Sequence, residues 1–145
     1  MSKLTMDRVR GLELFSGCRR AQLQAIDRLG CKVDFSPDTV LCREGGPGRE
    51  FFVLASGTVR VDVHGGEVAV LHPGAWFGEI ALLRAVRRQA SVTTSSHATV
   101  LVFDTSEFTS LLATAPGVRD QLEHSAHLVE QAGRPTLRTW YQPLR

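Results

Sequence analysis

The sequence predicts a mainly β domain with flanking helices, folded as a barrel or jelly roll. Three observations carry this. Short β-rich runs separated by turn residues fill the region from Val33 to Asp104. One run alternates cleanly between apolar and polar residues, so one of its faces is buried. On both sides of the region the apolar period lengthens to that of a helix. The 145 residues leave room for one compact domain, and 43% hydrophobic with 22% charged residues at a mean hydropathy of −0.05 is enough to bury a core.

The first helical pattern is Met6, Val9 and Leu12, and the second is Leu23, Ile26 and Leu29, stopped by Gly30. Together they make residues 1–32 a helical lead. Strands are expected at 33–35, 39–42, 51–55, 58–64, 67–71, 90–94 and 99–104. Pro37-Asp38, Gly45-Gly46-Pro47-Gly48, Ser56-Gly57, Gly65-Gly66 and Pro73-Gly74 are the turns between them. In the 58–64 run Val59, Val61 and Val63 share one face, with Arg60 and Asp62 on the other. Gly65-Gly66 reads as the two-residue loop of a hairpin, since primed turns need positive φ. After the strands, Asp104 and Glu107 have the spacing of a capping box, with Phe108, Leu111 and Leu112 as the apolar stripe of the helix it opens. Pro116 opens a last helix carrying Val118, Leu122, Ala126 and Val129, which Gly133 and Pro135 end, so that 105–132 is helical and 133–145 is a tail.

The strand pattern is interrupted at Gly78-Glu79-Ile80-Ala81-Leu82-Leu83. A helical turn starting there aims unpaired backbone N–H groups at one spot, with the positive end of its dipole behind them. Arg88, expected to begin the next strand, adds a guanidinium suited to phosphate by charge and by planar geometry. Glu79 is a poor phosphate neighbour but a good acceptor for sugar hydroxyls, so the set describes a phosphate and a ribose together. The plain structural alternative is an Arg88–Glu79 ion pair that orders the loop.

Phe77-Gly78-Glu79-Ile80-Ala81-Leu82-Leu83 with Arg88, Ala90, Ser91 and Val92 resembles the phosphate-binding cassette of cyclic-nucleotide-binding domains. Such domains occur in the catabolite activator protein, protein kinase A regulatory subunits and cyclic-nucleotide-modulated channels. The segment 43–54, with Ser56-Gly57 after it, looks like the glycine-punctuated strands of the same barrel, and Leu14-Phe15 with Leu23 is similar to the family's helical entry. The resemblance covers roughly residues 12 to 132. It implies an eight-stranded antiparallel jelly roll spanning 33–104, a cassette over 77–92, and C-terminal helices over 105–132, the last of them a lid over the base. It also implies roles. Arg88 would hold the exocyclic phosphate oxygens, the N–H groups of Ile80 and Ala81 would add donors, Glu79 would take the ribose 2′-hydroxyl, and Gly78 would let the ligand approach the backbone. Gln89 and Ala90 complete the set. Gln89 stands where ligand-binding members commonly have Ala, Ser or Thr, Arg87 where proline is frequent, and Ala85-Val86 where a glycine-containing turn is usual.

The expected function is that of a sensor module for a cyclic nucleotide, cAMP ahead of cGMP, with the signal passed through the C-terminal helix to another protein or to a second copy. Two alternatives stand beside it: a degenerate barrel serving as a protein-interaction scaffold, and a regulatory piece of a larger protein. No catalytic constellation is present, so no enzyme activity is expected. No cofactor is expected either. Neither the five histidines nor Cys18, Cys31 and Cys42, spaced 13 and 11 apart, have metal-ligand spacing. Cys18 falls where a helix N-cap is expected. Trp76 is read as packing, Trp140 and Tyr141 as tail, and Arg84 and Arg87 as solvated charges. Residues 1–32 hold seven basic and three acidic side chains within a net charge of +2, too little for a nucleic-acid surface. With 13 residues after Ala132, direct DNA binding is not expected. Without a run of roughly 20 apolar residues or a signal-peptide stretch, membrane insertion is not expected and a cytoplasmic location is.

Overall fold

The structure, a computed structural model, describes residues 12–132. Eight strands form two four-stranded antiparallel sheets with helices at both ends, the jelly-roll architecture. The strands are β1 (Cys31–Phe35), β2 (Val40–Cys42), β3 (Glu50–Ser56), β4 (Val59–Val63), β5 (Gly66–Leu71), β6 (Trp76–Phe77), β7 (Ser91–Thr94) and β8 (Ala98–Asp104). One sheet has the order β1-β8-β3-β6 and the other β2-β7-β4-β5. A short 3-10 turn (Glu13–Phe15) and α1 (Arg20–Leu29) precede them. The helix α2 (Glu79–Arg84) interrupts them, and α3 (Thr105–Thr114) and α4 (Pro116–Ala132) follow. Among the described residues no helix is long and apolar enough to cross a membrane.

Two cores share the strands β3 and β8. Phe52, Leu54, Val59, Val61, Leu71, Phe77, Val92 and Val100 fill the space between the sheets. The opposite faces of β3 and β8, Phe51, Val53, Leu101 and Phe103, pack with Leu14, Phe15, Leu23, Ile26, Phe108, Leu111 and Leu122 from the helices. Burial on both faces is why 51–55 reads as an unbroken apolar run while 58–64 alternates. The Phe51 ring lies 5.8 Å from that of Phe103 and 5.1 Å from that of Phe108, tilted against both.

The ends of the elements show where local chemistry decides. The box at the start of α3 is complete: Glu107 N–H donates to Asp104 Oδ1 and Asp104 N–H to Glu107 Oε1, each at 2.8 Å. Of its apolar stripe, Phe108 and Leu111 are buried. The N-cap of α1 is Arg19 and not Cys18; Cys18 is half-buried against the helix-facing core, and burial raises its thiol pKa. Strand β1 starts at Cys31, two residues before the expected edge, because Cys31 and Lys32 pair with Val102 and Leu101.

The β4–β5 turn is shifted by one residue from the expected Gly65-Gly66. The turn residues are His64 and Gly65, at φ +53° and +80°, and Gly66 already pairs with Val63 in the sheet. Strand β6 escaped the sequence reading because two residues have no period, yet Trp76 and Phe77 pair with Val53 and Phe52. Trp76 is buried in the helix-facing core, as packing requires. Met6 and Val9 of the first helical pattern, together with Gly133, Pro135, Trp140 and Tyr141, lie outside the described residues.

Candidate functional site

The seven residues singled out from the sequence line one pocket: Gly78, Glu79, Ile80, Ala81, Arg88, Gln89 and Ala90. Cys42 of β2, Phe77 of β6 and Val92 of β7 complete the wall of this shallow, partly open pocket. The pocket exists because β6 ends at Gly78. There the backbone turns left-handed, φ +92°, and launches α2, whose first-turn N–H groups, on Glu79, Ile80 and Ala81, have no acceptor within the helix. Only glycine fits at 78. An added Cβ would stand 2.7 Å from a terminal guanidinium nitrogen of Arg88 and 2.8 Å from the carbonyl oxygen of Glu50, besides the cost of positive φ.

Arg88 lies in the loop before β7, three residues short of the strand it was expected to begin. Its side chain is only 8% exposed, and two of its five donors go to carbonyls, that of Gly78 at 3.1 Å and that of Glu50 at 2.9 Å. The guanidinium carbon stands 5.7 Å from the centre of the Phe52 ring, which stacks on Phe77 at 4.9 Å. Among the described residues no carboxylate pairs with it, and the Arg88–Glu79 ion pair is not formed. Glu79 is 2% exposed, and its Oε1 has no hydrogen-bond partner among the described residues. Burial pushes its pKa up to about 7, against smaller lowering by its own backbone N–H and by Arg88. Burial likewise pushes the Cys42 thiol up to about 12, leaving a neutral wall. The pocket therefore combines a permanent, fixed cation with a carboxyl balanced between its two protonation states, an arrangement that can receive one anion and one hydroxyl.

The segment 43–50, read from the sequence as a turn and strand of the barrel and given no place in the site, builds half of the arginine's seat. Gly45 N–H donates to the Arg88 carbonyl and Arg88 N–H to the Gly46 carbonyl, both at 2.9 Å. Gly48 lies so close to α2 that a Cβ there would fall 2.2 Å from that of Ala81. The glycine spacing of 45–48 was the available signal, and what it encodes is close approach. Arg87, although exposed, donates to the Gly45 carbonyl at 3.0 Å. Arg84 is not a freely solvated charge. It donates to Glu130 at 2.6 Å and pairs with Glu123 at 2.9 Å, both on α4, and these bonds raise its pKa. Beside this fork Ile80 and Leu83 pack on Ala126 and Val129. The last helix thus rests against α2, and no described α4 residue lines the pocket.

A jelly roll with a helical turn inserted between strands, and a buried arginine beside that turn, defines a β-roll domain. Residues 32–115, more than half of the chain, match the cyclic nucleotide-binding domain, and the chain belongs to that family. It is 36% identical over 115 residues to "Acetyltransferase Pat" of Mycolicibacterium smegmatis, a match that covers 77% of this chain and 34% of that protein. It is 33% identical over 86 residues to the cAMP-dependent protein kinase regulatory subunit of Colletotrichum orbiculare, covering 58% of this chain and 22% of that one. The chain thus spans about a third or less of the length of these curated relatives. Among solved structures, "Sp-2Cl-cAMPS bound to PKAR CBD2" aligns with a TM-score of 0.77 at 19% identity over 95% of both chains. The regulatory subunit of a cAMP-independent protein kinase A from Trypanosoma brucei aligns at 0.79 and 18% identity, covering 87% of this chain and 47% of that one. At such identities the likeness shows the fold.

Proposed function

We propose that the chain binds a cyclic nucleotide, cAMP ahead of cGMP, as a regulatory sensor module. The observation that carries this reading is the unpaired burial of Arg88: a guanidinium held by carbonyls and a ring face keeps its whole charge, and burying that charge without a counter-ion is costly unless an anion completes the site. A cyclic phosphate would take the remaining Arg88 donors and the N–H groups of Ile80 and Ala81. The ribose 2′-hydroxyl would donate to Glu79 Oε1, the buried acceptor that lacks a partner. Gly78 leaves the approach open, while Gln89 and Ala90 flank the phosphate side. The preference for adenine is supported by the cAMP-dependent kinase subunit among the relatives. Binding would draw α2 toward the ligand, and α4, attached to α2 through Arg84, would carry the change to another protein or to a second copy.

Thermal unfolding tests the reading. Ligand at about 100 times its dissociation constant adds roughly 2.7 kcal/mol, which for a domain of this size raises Tm by roughly 5–10 °C. The expected result is a shift with cAMP, a smaller one with cGMP at equal concentration, and none in Arg88→Ala. No shift with either nucleotide would favour an interaction scaffold that keeps the fold without the ligand.

A further inference from the structure

The loop that seats Arg88 is rich in glycine: Gly45, Gly46 and Gly48 with Pro47 between. Three glycines lose more backbone freedom on ordering than other residues would, so the loop needs an external anchor to hold one conformation. One is visible at its outer end. Glu44 reaches the tip of the β4–β5 hairpin, where its Oε1 accepts from the backbone N–H of His64 at 2.8 Å and its Oε2 stands 3.2 Å from His64 Nδ1. The backbone N–H of Glu44 donates to Ser91 Oγ at 2.9 Å, at the first residue of β7. The next two residues make the reciprocal backbone bonds to Arg88. Both oxygens of one half-buried carboxylate are thus committed to a turn residue that sits at φ +53°, a conformation that non-glycine residues rarely hold without local support. The hairpin tip, far along the chain from the cassette, is wired to the arginine through a single side chain.

We propose that Glu44 is a positioning residue for Arg88, anchoring the 43–48 loop on the His64 turn so that the loop's backbone bracket fixes the arginine in the pocket. The inference rests on the nucleotide-binding reading given above, and concerns a residue that does not touch the ligand. It requires the side chain's acceptor oxygen, not its charge: the His64 backbone N–H needs an oxygen, which an amide also supplies.

The test uses the whole chain with cAMP as probe, in titration calorimetry. Glu44→Ala is expected to weaken cAMP binding about threefold to tenfold, while Glu44→Gln stays within about twofold of the wild type. A second measurement on the ligand-free protein reads the bracket itself, by amide hydrogen exchange at Gly45 and Arg88. In Glu44→Ala these two amides should exchange at least about tenfold faster, with the β4 and β8 amides of Val61 and Leu101 unchanged. Unaltered protection at Gly45 and Arg88 in Glu44→Ala overturns the positioning role whether or not cAMP binds. So does a loss of affinity that Glu44→Gln shares in full. Wild-type protein that binds no nucleotide refutes the proposed function instead, and the exchange measurement still decides the role of Glu44.

Discussion

Arg88 and Glu79 line one pocket, both almost wholly buried, and do not neutralise each other. That makes Glu79 a pH-dependent element of stability. Unfolded, its carboxyl ionises near the ordinary 4.5; folded, burial raises this to about 7. The folded state therefore holds the proton more tightly. The contribution is fully present below about pH 4.5 and is lost as pH rises through about 7. Glu79→Gln, neutral at every pH, should remove this dependence, so that urea unfolding at pH 8 finds the variant more stable relative to wild type than at pH 5, by up to about 3 kcal/mol. An identical wild-type-to-variant difference at both pH values would mean that the folded carboxyl ionises normally. The same burial explains why Glu79 is a weak stabiliser and a good receptor: its bare oxygen gains most when a ligand hydroxyl arrives.

Among the elements, α2 has the most consequential ends. Its N-cap, Gly78, is a glycine at positive φ, but its C-cap, Ala85, takes the left-handed conformation at φ +53° without being one. An L-residue there carries roughly 1–2 kcal/mol of strain. Ala85→Gly should recover part of that, about 0.5–1 kcal/mol after the entropy cost of glycine, read as a higher urea midpoint at unchanged slope; a lower midpoint would contradict the strain. The body of the helix is gripped by α4 through Arg84 and its two glutamates. Arg84→Ala leaves the phosphate side intact, so cAMP affinity should change less than about fivefold. A ligand-dependent distance change between labels at Leu128 and on the β4–β5 hairpin should nevertheless disappear. Persistence of that change in the variant would assign the coupling to the apolar contacts of Ile80 and Leu83 alone.

Legibility followed from how local each determinant is. The capping box of α3, the helix over 116–132 and the alternation of β4 are written in neighbouring residues, and the structure has them. The hairpin turn slipped by one because the two adjacent glycines alone do not fix the register, and the N–H of the observed turn residue His64 is met by Glu44, twenty residues away. The pocket residues of the cassette were readable as a contiguous motif. Cys42, Gly48 and the carbonyl of Glu50 were not, since only folding brings β2 and the 43–50 segment to the cassette. Arg84 looked like any surface arginine, because its partners lie on a helix some forty residues later.

For the molecule as a whole, β3 and β8 are common to both cores, so the sheet that carries β6 and launches α2 is braced from two sides. On the proposed reading the parts free to move are α2, whose Ile80 and Leu83 pack on a small separate cluster, and the second half of α4, whose Ala126 and Val129 complete it, while Val118 and Leu122 keep the start of α4 in the helix-facing core. Such a layout suits a population shift between two placements of α2 and the second half of α4 on an unchanged roll, with a ligand supplying the differential contacts. Titration calorimetry of the protein with cAMP, beside Arg88→Ala, tests the central claim most directly. One-site binding to the wild type, weakened at least about tenfold or about 1.4 kcal/mol in a variant that remains folded, is the predicted result. Equal affinity in the two proteins, or no heat with the wild type, would contradict it.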